Sequence, residues 1–221
     1  MKLLAIDTAT EACSAALYID GEVLEKYEVA PRRHAELILP MVDSLLAEAE
    51  LKLTSLGALA FGRGPGAFTG VRIATGVIQG LAFASDLPVI PISTLAAMAQ
   101  GASTEADTIL STIDARMSEI YWGLFSVGND GIVRAISEEL VSKPETLNVE
   151  VNSTCFGVGT GWSTYKDFLL SAVGSQLKGF DADYFPRASD ILTLAAKEFS
   201  ETKMIAATDT VPVYLRNKVT S

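Results

Sequence analysis

Histidine is almost missing from this chain of 221 residues, with His34 the single example. A Ser–His–Asp triad needs a histidine tied to two partners, and a histidine metal site needs at least two ligands, so neither is supported. Cysteine is equally scarce. Cys13 and Cys155 stand far apart in apolar runs (CSAALYI and CFGVG) without zinc-like spacing, and read as buried free thiols of a reducing compartment. Basic residues number 17 against 27 acidic ones, a net charge of −10. Affinity for phosphate backbones comes from Lys and Arg displacing counterions, so any nucleic acid in this protein's work needs basic surface from elsewhere. No apolar run approaches the roughly 18 residues of a membrane span. The opening MKLLAI meets Asp7 too early for a signal peptide, so a cytoplasmic protein is expected.

What is present is ordinary globular material. Hydrophobic residues make up 49% and charged residues 20%. The length fits one large or two small domains, at roughly 100–200 residues each. Such a chain can bury roughly 70% of the surface its unfolded form exposes, so it needs no covalent staples.

Patterning then divides the chain. Residues 3–6 form a short apolar strand, and 12–19 is rich in strand formers ending at Asp20-Gly21, a hairpin signal. Residues 23–29 make a third strand. Leu37, Ile38, Met41, Leu45 and Leu46 recur at helical spacing. Residues 58–61 read as strand, 71–84 as helix and 89–92 as strand. A meander that switches to helix–strand alternation predicts an α/β, ribonuclease-H-like mixed sheet with flanking helices. The stretch 113–131 (IDARMSEIYWGLFSVGNDG) repeats the outline of 6–21 (IDTATEACSAALYIDG), which points to a duplicated half. Further on come a glycine-rich turn at 155–161, helices near 163–172 and 191–199, and an apolar run at 211–215 whose Pro212 marks it as an edge or terminal segment. The expected division is an N-terminal unit of 1–104 completed by about 188–221, and a second, degenerate unit of 105–187.

Three turns could carry chemistry. Asp7-Thr8-Ala9-Thr10 follows the first strand, where a carboxylate and hydroxyls either hold a hydrated Mg²⁺ and phosphate oxygens or simply cap a hairpin turn. Residues 62–70, GRGPGAFTG, place four glycines around a proline ahead of a helix. They form either an anion site aided by Arg63 or a demanding strand-to-helix turn with Thr69 as N-cap. Gly157-Val158-Gly159-Thr160-Gly161 suits backbone lying against a nucleotide base, or a tight turn before Trp162. Asp7, Thr8, Thr10, Asp114, Gly157 and Gly159 are the candidates for a vestigial nucleotide cleft, with Asp114 the best placed to act as a base. A stand-alone actin-like kinase or ATPase is the alternative function they motivate.

The helix 71–84 is apolar nearly all round, and Gly70, Ala74, Gly76 and Gly80 allow another helix close. It either buries itself wholly against its own sheet or shares one face with a partner.

These segments resemble the bacterial TsaB (YeaZ) family of the actin-like ATPase superfamily. The resemblance lies in IDTAT (6–10), His34-Ala35-Glu36-Leu37 through Leu39-Pro40-Met41, GPGAFTGVRI (64–73) and PVYLR (212–216), and spans nearly the whole chain. It implies two actin-like subdomains and a part in forming N6-threonylcarbamoyladenosine at position 37 of tRNAs that read ANN codons. It also implies that the paralogue TsaD performs the transfer, with TsaE as ATPase and TsaC as supplier of threonylcarbamoyl-adenylate. The chain itself then acts as a scaffold that binds TsaD through a helical bundle and forms homodimers through related surface when alone. No catalytic residue, metal or intrinsic cofactor is expected; ATP and Mg²⁺ are used through the partners, and tRNA is met only indirectly. In TsaD paired histidines hold the metal, which His34 alone cannot reproduce. The expected partner-facing residues are His34, Leu37, Ile38, Met41, Leu45, Val71, Arg72, Ala74, Thr75 and Ile78.

Overall fold

The computed structural model describes residues 1–201 and 203–216. The chain divides into two compact units: Met1–Ala97 with Pro186–Val213, and Met98–Phe185 with the described residues 214–216. The division differs from the expected one at two places. It falls inside a helix, Thr94–Gly101, rather than at 104. The terminal segment is shared, with Tyr214, Leu215 and Arg216 belonging to the second unit. Of the expected 188–221 segment, 202 and 217–221 lie outside the described residues.

The first unit is built on a five-stranded mixed sheet in the order β3-β2-β1-β4-β5, comprising β1 (Lys2–Asp7), β2 (Ala12–Ile19), β3 (Glu22–Val29), β4 (Ala58–Gly62) and β5 (Val89–Ile92). β1 pairs antiparallel with β2 and parallel with β4. Covered on both faces, β1 and β4 read as unbroken apolar runs. β3 is the edge, and its Glu22, Glu25, Lys26 and Glu28 make it a poor template for stray pairing. The β2–β3 turn carries Asp20 and Gly21 at φ 49° and 114°, as the hairpin signal predicted.

Two helices, α1 (His34–Glu48) and α2 (Phe68–Ser85), bury their stripes against one face of this sheet. Ile38, Val42 and Leu45 of α1 and Ala74, Ile78 and Ala82 of α2 join Leu4, Ile6, Leu17, Leu59 and Phe61 in one core. Each fully buried Ile or Leu there stabilises the unit by roughly 2 kcal/mol. Glycine is not what ends α2: Asp86 stops it in the left-handed conformation, returning its N–H to Ala82. A third helix of the first unit, Ala188–Ser200, lies against β1, β2, β4 and β5. Its start is fixed from another element, because Glu25 accepts the Ser189 N–H at 3.0 Å and pairs with Arg187 at 2.6 Å.

The second unit holds a six-stranded sheet: β6 (Thr108–Arg116), β7 (Glu119–Val127), β8 (Val133–Ala135), β9 (Leu140–Ser142), β10 (Cys155–Val158) and β11 (Leu177–Asp181). β6 and β7 are antiparallel, while β10 runs parallel to both β6 and β11. Trp122, Leu124, Trp162 and Leu169 centre its core. The helix expected near 163–172 is two pieces, Gly161–Thr164 and Lys166–Val173. Short β8, β9 and β11 and the helix Thr94–Gly101 had no clear sequence signal. Residues 211–215 form no strand.

Candidate functional site

In the first unit the Asp7 turn and the glycine loop close on each other. The Asp7 Oδ1 accepts the Ala9 N–H at 2.8 Å. The Thr8 hydroxyl donates to the Gly70 carbonyl at 2.7 Å, and the Ala67 N–H donates to the Ala9 carbonyl at 2.7 Å. The glycines exist for this approach. A Cβ at Gly66 would lie 2.3 Å from the Ala9 oxygen, one at Gly70 2.0 Å from the Thr8 oxygen, and one at Gly62 1.8 Å from Asp7 Oδ2. Asp7, Thr8 and Thr10 are all buried. The demanding strand-to-helix turn accounts for the glycines, which make room for Asp7, Thr8 and Ala9. Thr69 is not the N-cap: the helix starts at Phe68, two residues earlier than that cap would place it, after Ala67, with no side-chain cap bond.

Burial pushes the Asp7 carboxyl up to about 7, the Ala9 hydrogen bond pulling weakly the other way. Its Oδ2 has no hydrogen-bond partner among the described residues. Among the described residues no group of three or more His, Cys, Asp or Glu could hold a metal.

The second unit repeats the turn. Asp114 Oδ1 accepts the Arg116 N–H at 2.8 Å, the same two-residue bond that Asp7 makes to Ala9. These turns lie in the two stretches of similar outline, 6–21 and 113–131. Here the carboxylate is also paired with the Arg116 guanidinium at 3.3 Å, and Thr160 Oγ1 accepts the Asp114 N–H at 3.1 Å. The glycines of the 157–161 loop again face the protein. A Cβ at Gly157 would lie 2.1 Å from the Trp162 indole, and one at Gly159 (φ 101°) 2.2 Å from the Thr112 oxygen. Trp162 is wholly buried, donates to the Leu110 carbonyl at 3.2 Å, and stacks on Phe180 at 5.2 Å.

The helical surface needs a larger correction. Of the ten residues expected to face a partner, His34, Ile38, Leu45, Val71, Ala74, Thr75 and Ile78 are buried within their own unit. The physical reason is periodicity: residues three and four apart form the stripe that faces the sheet, so the strongest apolar positions are those least available outside. His34 opens α1 without capping it, and its Nε2 has no partner among the described residues. Leu37 and Met41 are half-buried and Arg72 is exposed. The outward stripe of α2 is Phe68, Arg72, Gly76, Gly80 and Phe83, with Phe83 83% exposed, while Ile73 and Val77 are half-buried and pack against the core. A Cβ at Gly76 or Gly80 would meet nothing within 4 Å, so these two glycines, unlike those of the loops, have no internal reason. Sequence reasoning missed Phe83, whose signal was a large aromatic at helical spacing from Gly76 and Gly80 on the face away from the sheet.

Two mixed sheets with flanking helices, a repeated aspartate turn and glycine loops packed on their own unit define an actin-like α/β protein whose turns are closed. A family model described as "TsaD: tRNA N6-adenosine threonylcarbamoyltransferase" matches residues 25–221. The chain is 45% identical to the tRNA threonylcarbamoyladenosine biosynthesis protein TsaB of Escherichia coli K12, covering 99% of this chain and 96% of that one. A protein of the same name from Haemophilus influenzae is 45% identical over all of this chain. A solved structure, YeaZ from Pseudomonas aeruginosa, superposes with a TM-score of 0.90 at 46% identity, covering 97% and 99% of the two chains. The chain belongs to the TsaB (YeaZ) family of tRNA threonylcarbamoyladenosine biosynthesis proteins.

Proposed function

We propose that this chain is a non-catalytic scaffold and activator in the formation of N6-threonylcarbamoyladenosine on tRNA, and that it docks a catalytic relative of the TsaD type through α2 and the neighbouring part of α1. The observation that carries the reading is the outward face of α2. Gly76 and Gly80 leave open space there between the exposed Phe68 and Phe83, beside the half-buried Ile73 and Val77, which also pack on the core, while the opposite stripe already fills the core. Small residues flanked by apolar ones let a second helix approach closely, and an exposed aromatic supplies an anchor. Arg72 lies on the same surface, and the half-buried Leu37 and Met41 of α1 pack on the core. A homodimer in isolation uses this face too, so partner and second copy compete for it.

The closed Asp7 turn and the glycines packed on Thr8, Ala9 and Thr112 support the absence of intrinsic nucleotide chemistry. They weigh against the stand-alone kinase. ATP and Mg²⁺ then enter through partners, a TsaE-type ATPase among them, and the acidic chain meets tRNA only within the assembly. Among the described residues no helix is long and apolar enough to cross a membrane, which fits work in the cytoplasm. Titration of the isolated chain with Mg-ATP tests the catalytic half of the reading: no binding at micromolar nucleotide is expected, and binding with turnover would overturn it.

A further inference from the structure

The β6–β7 hairpin turns through Arg116, Met117 and Ser118, all with positive φ, at 61°, 56° and 58°. Tight turns with two left-handed residues match the twist of the strands and ordinarily carry Asn-Gly or Asp-Gly. The β2–β3 turn of this chain obeys that rule with Asp20-Gly21. Met117 and Ser118 do not, and each bears a Cβ that crowds its carbonyl in this region. The Asp114 carboxylate holds Arg116, by its amide and by its guanidinium, and not Met117 or Ser118. The strand ladder pairs Arg116 with Glu119 across the tip and leaves the left-handed Met117 and Ser118 between them.

Arg216 reaches both sides of the turn. Its Nη2 donates to the Arg116 carbonyl at 3.3 Å and also to Glu119 Oε2, while its Nε donates to the same oxygen at 3.1 Å. Nη1 lies 3.7 Å from Met117 Sδ, and the guanidinium sits 5.9 Å from the centre of the Tyr121 ring. The Arg216 side chain is only 17% exposed. One planar fork thus joins the residue before the turn, its tip and the residue after it.

We propose that Arg216, the last residue of the PVYLR motif, is a clamp that holds the β6–β7 turn in its left-handed form. The clamp lets the chain keep Met117, 61% exposed, and Ser118 at a tip where Asn-Gly would hold itself. Lysine cannot substitute, because an ammonium cannot span Arg116, Met117 and Glu119 with a rigid set of donors.

Hydrogen–deuterium exchange of the full chain, read on the peptide 114–121 with 12–19 as internal reference, tests this. R216A is expected to speed exchange in 114–121 at least tenfold and leave 12–19 unchanged, and R216K to follow R216A. Adding Met117→Asn and Ser118→Gly to R216A is expected to bring exchange back to within about threefold of the starting chain, because that pair holds the turn unaided. Unchanged exchange in R216A overturns the proposal. So does a loss of protection, local or spread through the unit, that Asn-Gly fails to reverse, since Arg216 would then be supporting something other than the turn.

Discussion

The carbonyl oxygen of Thr8 occupies the space that a side chain on Gly70 would need, 2.0 Å from the position of its Cβ, and the Thr8 hydroxyl returns a hydrogen bond to the Gly70 carbonyl. The contact is backbone on backbone, so no rotamer change can relieve a methyl group there. Gly70→Ala should therefore cost about 3 kcal/mol of stability. Gly76→Ala, on the same helix over open space, should instead gain up to about 1 kcal/mol from helix propensity. Urea denaturation of the two variants checks the contrast. Equal effects would mean that the loop does not close on the Asp7 turn.

The Asp7 carboxyl gives stability a pH dependence of fixed sign. Its value is about 7 folded against 3.8 as a free side chain, so the folded state binds an extra proton between these limits. That contribution is present below about pH 4, is lost as pH rises to about 7, and is flat beyond. The shift corresponds to roughly 4 kcal/mol. Asp7→Asn keeps an oxygen for the Ala9 N–H but cannot ionise. It should raise the urea midpoint relative to the parent at pH 8 and leave the two close at pH 4. Parallel pH profiles for the two proteins would contradict the assignment.

Both thiols should be silent in the native protein. Burial pushes Cys13 up to about 12, helped by the nearby Asp7 and Glu28 charges, and Cys155 up to about 11. The thiolate is the reactive form, and neither group offers it near neutrality. A maleimide at pH 7 should label neither in the folded chain and both in denaturant. Rapid native labelling of either would show that its unit opens readily.

The order of elements in the first unit was legible because its signals are local: Asp20-Gly21, the apolar run of 58–61 and the i, i+3, i+4 spacing of Leu37, Ile38, Met41 and Leu45. The duplicated aspartate turn was legible for the same reason. The second unit was harder, since β8 and β9 are three residues each and too short to show a period. The candidate site divided along a different line. Glycine loops can be recognised in a sequence, but whether a glycine makes room for a ligand or for Thr8 and Trp162 depends on contacts made far along the chain. The same holds for α2, where hydrophobicity marked Val71, Ala74 and Ile78, and only the position of the sheet reveals that Gly76, Gly80 and Phe83 point away.

The central claim is that the outward face of α2 serves partner assembly and not the fold of this chain. Gly76→Glu and Phe83→Glu each place a charge on that face, outside the core of the unit. The decisive measurement is the dissociation constant for a purified TsaD-type partner, taken alongside the urea midpoint of each variant. The account predicts midpoints near that of the parent and affinity weakened at least a hundredfold, about 3 kcal/mol. Affinity equal to the parent's in both variants, with the fold intact, would contradict it.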